Sequence, residues 1–356
     1  MDGYQRLIEQ EKTKILKSKA RRSVFLAVMV AAIAIVVGYS FTVGSSSLSP
    51  LEAYKIILNQ VIPGLFEVDS KYVFIVNEVR APRVLGALFI GMILAIGGCL
   101  IQTILRNPLA TPYTLGISAG AGFGVNLMYI FGITIVSGTI GVITNAFIFS
   151  MVPACIMIFA VVVKRMSPVT MILIGIATSY LFSALNMLSQ YFGNATSVQN
   201  VVLWSMGDLS SVCLWQIPYI IMAFIGIFLY AMYISKNLDI MRMGDDSAKS
   251  LGINTNRVRG VTVIFTCIAT AIVVSFAGPI GFICILAPQI SRKIVGGNIR
   301  WLIPSSALIG GMILLLADII AKTVLSPIML PVGAITALIG SPLLIYMLFS
   351  KKGTSI

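Results

Sequence analysis

Arg80-Ala81-Pro82-Arg83, then an uncharged stretch to Leu105, then Arg106-Asn107-Pro108-Leu109-Ala110-Thr111-Pro112 together decide the architecture of this chain. A hydrocarbon layer of ~30 Å, crossed at ~1.5 Å per helical residue, needs about 20 apolar residues, and 84–105 supplies them. The Pro-rich turn ends that helix. Leu115-Gly116-Ile117-Ser118-Ala119-Gly120-Ala121-Gly122 then opens another.

The same spacing of charges recurs along the chain. Uncharged stretches cover 23–51, 107–163, 166–207, 209–235, 260–291, 301–317 and 323–350. Stretch 107–163 has room for two crossings with a turn at Gly132 and Gly138, and 260–291 holds two shorter ones split at Gly278-Pro279. Hydrophobic residues make up 58% of the chain and charged ones 10%, against about 25% charged in soluble domains. The expected fold is an all-α polytopic membrane protein of about ten transmembrane helices. They fall near 23–43, 83–105, 114–131, 139–163, 168–191, 213–235, 259–277, 280–293, 301–323 and 333–350. The expected organisation is a basic segment at 1–22, a single membrane domain at 23–350 and a tail at 351–356. The first apolar segment exceeds a signal-peptide core and lacks a small-residue cleavage pattern, so it is read as the first crossing.

A net charge of +13 invites a nucleic-acid reading, but orientation explains it, because Lys and Arg collect on cytoplasmic loops. With the N-terminus inside, twenty of the 25 Lys and Arg residues are cytoplasmic, and only Lys55, Lys71, Arg80, Arg83 and Lys322 lie outside. Both termini are then cytoplasmic and the helix number is even. The chain contains no histidine, which removes the commonest metal ligand and general base. Its five cysteines form no C-x-x-C pair and read as small apolar residues. No Gly-Lys pair occurs anywhere, so a phosphate-cradling G-x-x-x-x-G-K-[ST] loop is excluded. No cofactor is expected on this chain.

Among the connections, 44–79 carries a short amphipathic helix near 50–61, and 236–259 is the longest internal loop. Ser247-Ala248-Lys249-Ser250-Leu251-Gly252-Ile253 within it reads as a short helix stopped by glycine. By spacing alone this loop is a solvated charged connection. Ser179, Ser183, Asn186 and Gln190 fall on one face of the 168–191 helix. Such a stripe lines water-filled space or bonds a neighbouring helix. Asp318 and Lys322 form an i,i+4 pair near a helix end.

Motifs from 80 to 350 resemble, in order, the permease family of iron-siderophore, haem and cobalamin ABC importers, of the FecCD type. They are R-x-P-R at 80–83, Q-x-x-x-R-N-P-L-A-x-P at 102–112, L-G-I-S-x-G-A at 115–121 and W-x-x-G-D-L at 204–209. A-K-S-L-G-I-x-x-x-R at 248–257, G-P-I-G-F-I-x-x-L-A-P-Q-I-S-R at 278–292, A-D-I-I-A-K at 317–322 and L-P-V-G-A-I-T-A-L-I-G-S-P at 330–342 follow. One departure is Gln289, where the family usually has histidine. The resemblance implies a type II ABC importer permease fold, a homodimer in the cell membrane and no enzymatic activity of its own. Two ATP-binding cassette subunits would carry ATP and Mg, and an external binding protein would deliver the ligand. It places ATPase coupling in 236–259, at Asp245, Asp246, Ala248, Lys249, Leu251, Gly252 and Arg257. Binding-protein docking falls on Arg80, Arg83 and Lys322, with snorkelling to headgroups as the alternative. The pathway falls on Ser179, Ser183, Asn186 and Gln190. Asn107, Pro108, Gly116, Gly120, Gly278, Pro279 and Pro288 belong to the structural motifs. An ion-coupled secondary transporter is the alternative, although no carboxylate is clearly placed at the midplane.

Overall fold

The computed structural model describes residues 2–44, 49–61, 64–164 and 167–349, so the expected tail at 351–356 lies outside the described residues. The chain is helical: α1 (Asp2–Thr42), α2 (Pro50–Val61), α3 (Ser70–Phe74), α4 (Ala81–Leu105), α5 (Ile117–Phe131), α6 (Thr139–Val162) and α7 (Pro168–Tyr191) make its first half. Then come α8 (Ala195–Ser205), α9 (Ile217–Met241), α10 (Asp245–Ser250), α11 (Thr255–Ala277), α12 (Ile283–Val295), α13 (Ile299–Thr323) and α14 (Val332–Phe349). Among the described residues, seven helices are long and apolar enough to cross a membrane. Ile117–Phe131 and Val332–Met347 are apolar but shorter.

From Asp2 onward the basic segment is helical, continuous in α1 with the first apolar stretch. One expectation changes. The second crossing begins well before residue 83: α3 passes through a π-helical segment, Ile75–Arg80, directly into α4, giving one span from Tyr72 to Leu105. Its charged residues hid that start from an apolar-run reading. Arg80 and Arg83 therefore sit inside a helix and are buried.

This span is the axis of the molecule. Of its most apolar window 83% is buried inside the protein, against 17% for α1. It packs on α13, α9, α12 and α11, while α5 packs on α6 and α7. Without water there is no hydrophobic drive between helices, so close backbone approach through small residues supplies the packing. A methyl group at Gly98 would strike the Cys284 carbonyl of α12, and one at Gly91 the Gly310 carbonyl of α13.

The turn after α4 is written in its residues. Arg106 takes a left-handed conformation at φ 49° and caps the helix. Asn107 Oδ1 accepts the Leu109 N–H (2.9 Å) in an Asx turn. Thr111 and Thr114 form a reciprocal capping box on the short turn Pro112–Leu115, and Gly116 at φ 89° releases the chain into α5.

Candidate functional site

Motifs far apart in sequence meet inside the fold. Gln102 Nε2 donates to the Cys284 carbonyl (3.1 Å), and Gln289 Nε2 donates to the Pro108 carbonyl (3.0 Å). Tyr113 Oη donates to the Ile280 carbonyl (3.1 Å). The turn after α4 is thus laced to the irregular stretch 278–282 and to α12. Phe282 opens α12 at φ 64°, a left-handed value costly for an aromatic residue. Beside it, the Asp208 N–H donates to the Ala277 carbonyl (2.9 Å) and the Gly333 N–H to Gly207 (3.0 Å). Side chains at Gly207 or Gly278 would meet the Pro279 or Trp204 carbonyl. Pro288 is buried within α12. On α5, a methyl at Gly120 would strike the Phe149 carbonyl and Pro153 of α6, so its approach is backbone to backbone.

At one end of the span, Asp318 of α13 is wholly buried between two cations. Arg83 Nε donates to Asp318 Oδ1 (2.6 Å), and Lys322 Nζ lies 2.5 Å from Oδ2. Arg83 is 3% exposed and Lys322 7%. Arg83 Nη1 also donates to Ser210 Oγ (2.5 Å), and Arg80 Nη1 donates to the Phe41 carbonyl of α1 (2.5 Å). The Asp318–Lys322 pair was legible from its spacing. That Arg83 completes it was not, since the two lie 235 residues apart.

At the other end, Asp245, the first residue of α10, joins four helices. Arg259 of α11, 2% exposed, donates Nη2 to both carboxylate oxygens (2.6 and 2.7 Å) and Nε to the Ile104 carbonyl of α4 (3.3 Å). Arg106 pairs with the same carboxylate and donates Nε to the Met241 carbonyl of α9 (3.2 Å). Burial raises the Asp245 pKa, but the Arg259 hydrogen bond and charge, with Arg106 and Lys249, hold it below the usual carboxylate value. From sequence, Arg259 reads only as an orientation charge, and Arg106 as an orientation charge within the motif at 102–112. Nothing in a single sequence marks them as clamp residues.

The rest of this loop faces outward. Leu251 and Met243 are exposed, Ala248 is buried, and Gly252 at φ 80° ends the short helix. Asp246 and Lys249 form a loose exposed pair at 3.8 Å. Arg257 is exposed, and its backbone N–H caps onto Asn254 Oδ1 (3.0 Å).

The α7 stripe divides. Asn186 bonds across to α5, accepting from Asn126 Nδ2 (2.6 Å) and donating to the Ala119 carbonyl (3.1 Å). Ser179 donates to the Gly175 carbonyl of its own helix (2.8 Å), and Ser183 and Gln190 stay half-buried. An apolar cavity of about 550 Å³ lies elsewhere, between α6, α9 and α11, walled by Phe147, Tyr219, Met222 and Phe265. It carries no charged side chain, so it offers no grip on a charged ligand.

A family model described as the FecCD transport family matches residues 30–350. The chain is 38% identical over 307 residues to a Methanocaldococcus jannaschii protein provisionally named an ABC transporter permease, covering 83% of this chain and 87% of that one. It is 32% identical over 334 residues to the Fe(3+)-citrate import system permease protein YfmE of Bacillus subtilis (strain 168), covering 93% and 97%. A solved inward-facing structure, provisionally described as a metal-chelate type ABC transporter, matches with a TM-score of 0.79 at 27% identity, over 92% of this chain and 99% of that one.

Proposed function

The chain belongs to the FecCD transport family, and from that premise we propose that it is the membrane permease subunit of an ATP-driven importer for an iron chelate. Two copies form the pathway, each of ten crossings with both termini cytoplasmic. Two ATPase subunits carry ATP and Mg, and an external binding protein delivers the ligand. The iron class follows the citrate import permease to which the chain is similar along most of its length.

The observation that carries this reading is the Asp245 junction. A chain without a phosphate loop must receive force through a contact. Here a short helix with exposed Leu251 and Met243 is tied at its first residue to the ends of α4, α9 and α11. Displacement of α10 by an ATPase pulls on Asp245, and the charge-assisted bonds to Arg259 and Arg106 pass it to crossing helices. Asp246, Lys249 and Arg257 face the ATPase. At the opposite end, Arg80, Arg83 and Lys322 receive carboxylates of the binding protein, which must approach past Val79 and Met329 because the cations are buried. Ser179, Ser183 and Gln190 of α7 line the pathway, with Asn186 holding that helix to α5. Asp318 is already committed to ion pairs with Arg83 and Lys322 toward one end of α13, and this placement weighs against secondary transport.

Reconstitution with a cognate ATPase and binding protein tests the reading. Proteoliposomes should accumulate radio-iron as a citrate or hydroxamate chelate only with ATP, and should leave haem and cobalamin outside. Accumulation on a proton or sodium gradient, without the ATPase, would overturn it.

A further inference from the structure

Between the π-helical segment, α4 and the end of α13 lies a cavity of about 70 Å³, walled by Val43, Gly44, Val79, Arg83, Lys322 and Met329, with Arg80 beside them. One water needs about 10–15 Å³ by comparable measure. The space therefore suits a small ion with a few waters, and is far too small for a chelate. Arg83 has five N–H donors in a rigid fork. Nε is taken by Asp318, and Nη1 by Ser210 Oγ and the Met329 sulfur (3.2 Å). Nη2 is buried and has no hydrogen-bond partner among the described residues. A buried guanidinium nitrogen left without an acceptor is costly.

Charge points the same way. Arg83 and Lys322 bring two positive charges to the single carboxylate of Asp318, and all three side chains are at most 4% exposed. The triad keeps one net positive charge in a medium that resists it. We propose that the cavity is a receptor for one small monovalent anion, such as chloride, which accepts from Arg83 Nη2 and neutralises the triad. The inference rests on the triad and its cavity alone, independent of the transport reading.

The test uses the purified full chain in detergent, with sodium chloride or bromide replacing sodium gluconate at constant ionic strength. Gluconate is too bulky for the cavity. Wild-type protein should show a saturable halide-specific rise of a few degrees in melting temperature, with one bromide anomalous peak beside Arg83 Nη2. Arg83→Gln should lose both. Val79→Glu offers a tethered carboxylate one helical turn before Arg83. It should lose the halide response and melt in gluconate as wild type melts in chloride, so it decides the matter even if Arg83→Gln folds poorly. Indistinguishable wild-type melting in chloride and gluconate would mean that water alone fills the space, and a halide response kept by Val79→Glu would mean that halide binds elsewhere; either result overturns the proposal.

Discussion

Two aspartates, each held by two cations, sit at opposite ends of one buried helix, and they are built to opposite specifications. Asp318 has no exposure, and its partners Arg83 and Lys322 have almost none. One of those partners is a turn away on the same helix, so the ion pairs themselves link α4 to α13, with Arg83 also bonding Ser210. Asp245 and Arg106 stay 25% and 37% exposed, yet their cluster reaches α4, α9, α10 and α11. Dry pairs are costly to break, because the partner left behind is an uncompensated buried charge. Pairs open to water, as Arg106 with Asp245, are individually weak and can be remade, although Arg259 in the same cluster is buried. The Asp318 cluster is therefore a fixed anchor, and the Asp245 cluster is a joint that can be loaded and released.

The largest effect should come from Asp318→Ala, which strands Arg83 and Lys322 in the bundle. A loss of about 3–5 kcal/mol is expected from removing one member of a buried ion cluster. Detergent size-exclusion profiles should show little monodisperse protein. Asp245→Ala should cost less, roughly 1–3 kcal/mol for hydrogen bonds to charged groups. It should leave a folded chain whose transport falls far more than its melting temperature. If the two variants melted alike, the contrast between anchor and joint would be lost.

Arg259→Lys sharpens the contrast by keeping charge and removing the fork. Lys is a point charge unable to hold both carboxylate oxygens and the Ile104 carbonyl in one geometry, so a loss of about 1 kcal/mol is expected, read by thermal melts. Acid should separate the clusters more gently. The folded Asp245 pKa is held below its ordinary value. Its stabilising contribution is therefore complete above the unfolded carboxylate pKa, about 3.9, and fades as pH falls through the lower folded one. The melting difference between wild type and Asp245→Asn should stay level from about pH 8 to pH 5 and shrink only below about pH 4. The smallest effect belongs to Asp246→Asn. Its exposed pair with Lys249 should leave the melt unchanged, whatever it does to ATPase association.

What could be read without coordinates was the part set by local chemistry. Uncharged runs marked the long helices, Gly252 marked the end of α10, and the Pro-rich turn marked the end of α4. What could not be read was set by contacts across the chain. Arg83 looked like a rim residue because its carboxylate partner lies on α13. The start of the Tyr72–Leu105 span was missed because an apolar-run criterion rejects charges that burial has in fact paired. Arg259 was one cation among twenty until folding placed it against Asp245. Gln289, marked only as a departure from the family pattern, proves to tie α12 to the Pro108 turn.

The unbroken register of α4 has one last implication. From Arg83 to Arg106 the helix is about 35 Å of rigid spindle at ~1.5 Å per residue, keyed to its neighbours wherever Gly91 and Gly98 let backbones touch. Inserting a single residue along it would turn one extremity by about 100° against the other. No choice of side chain could then bring both aspartates into engagement, so the length of this helix is as much a specification as any residue it carries.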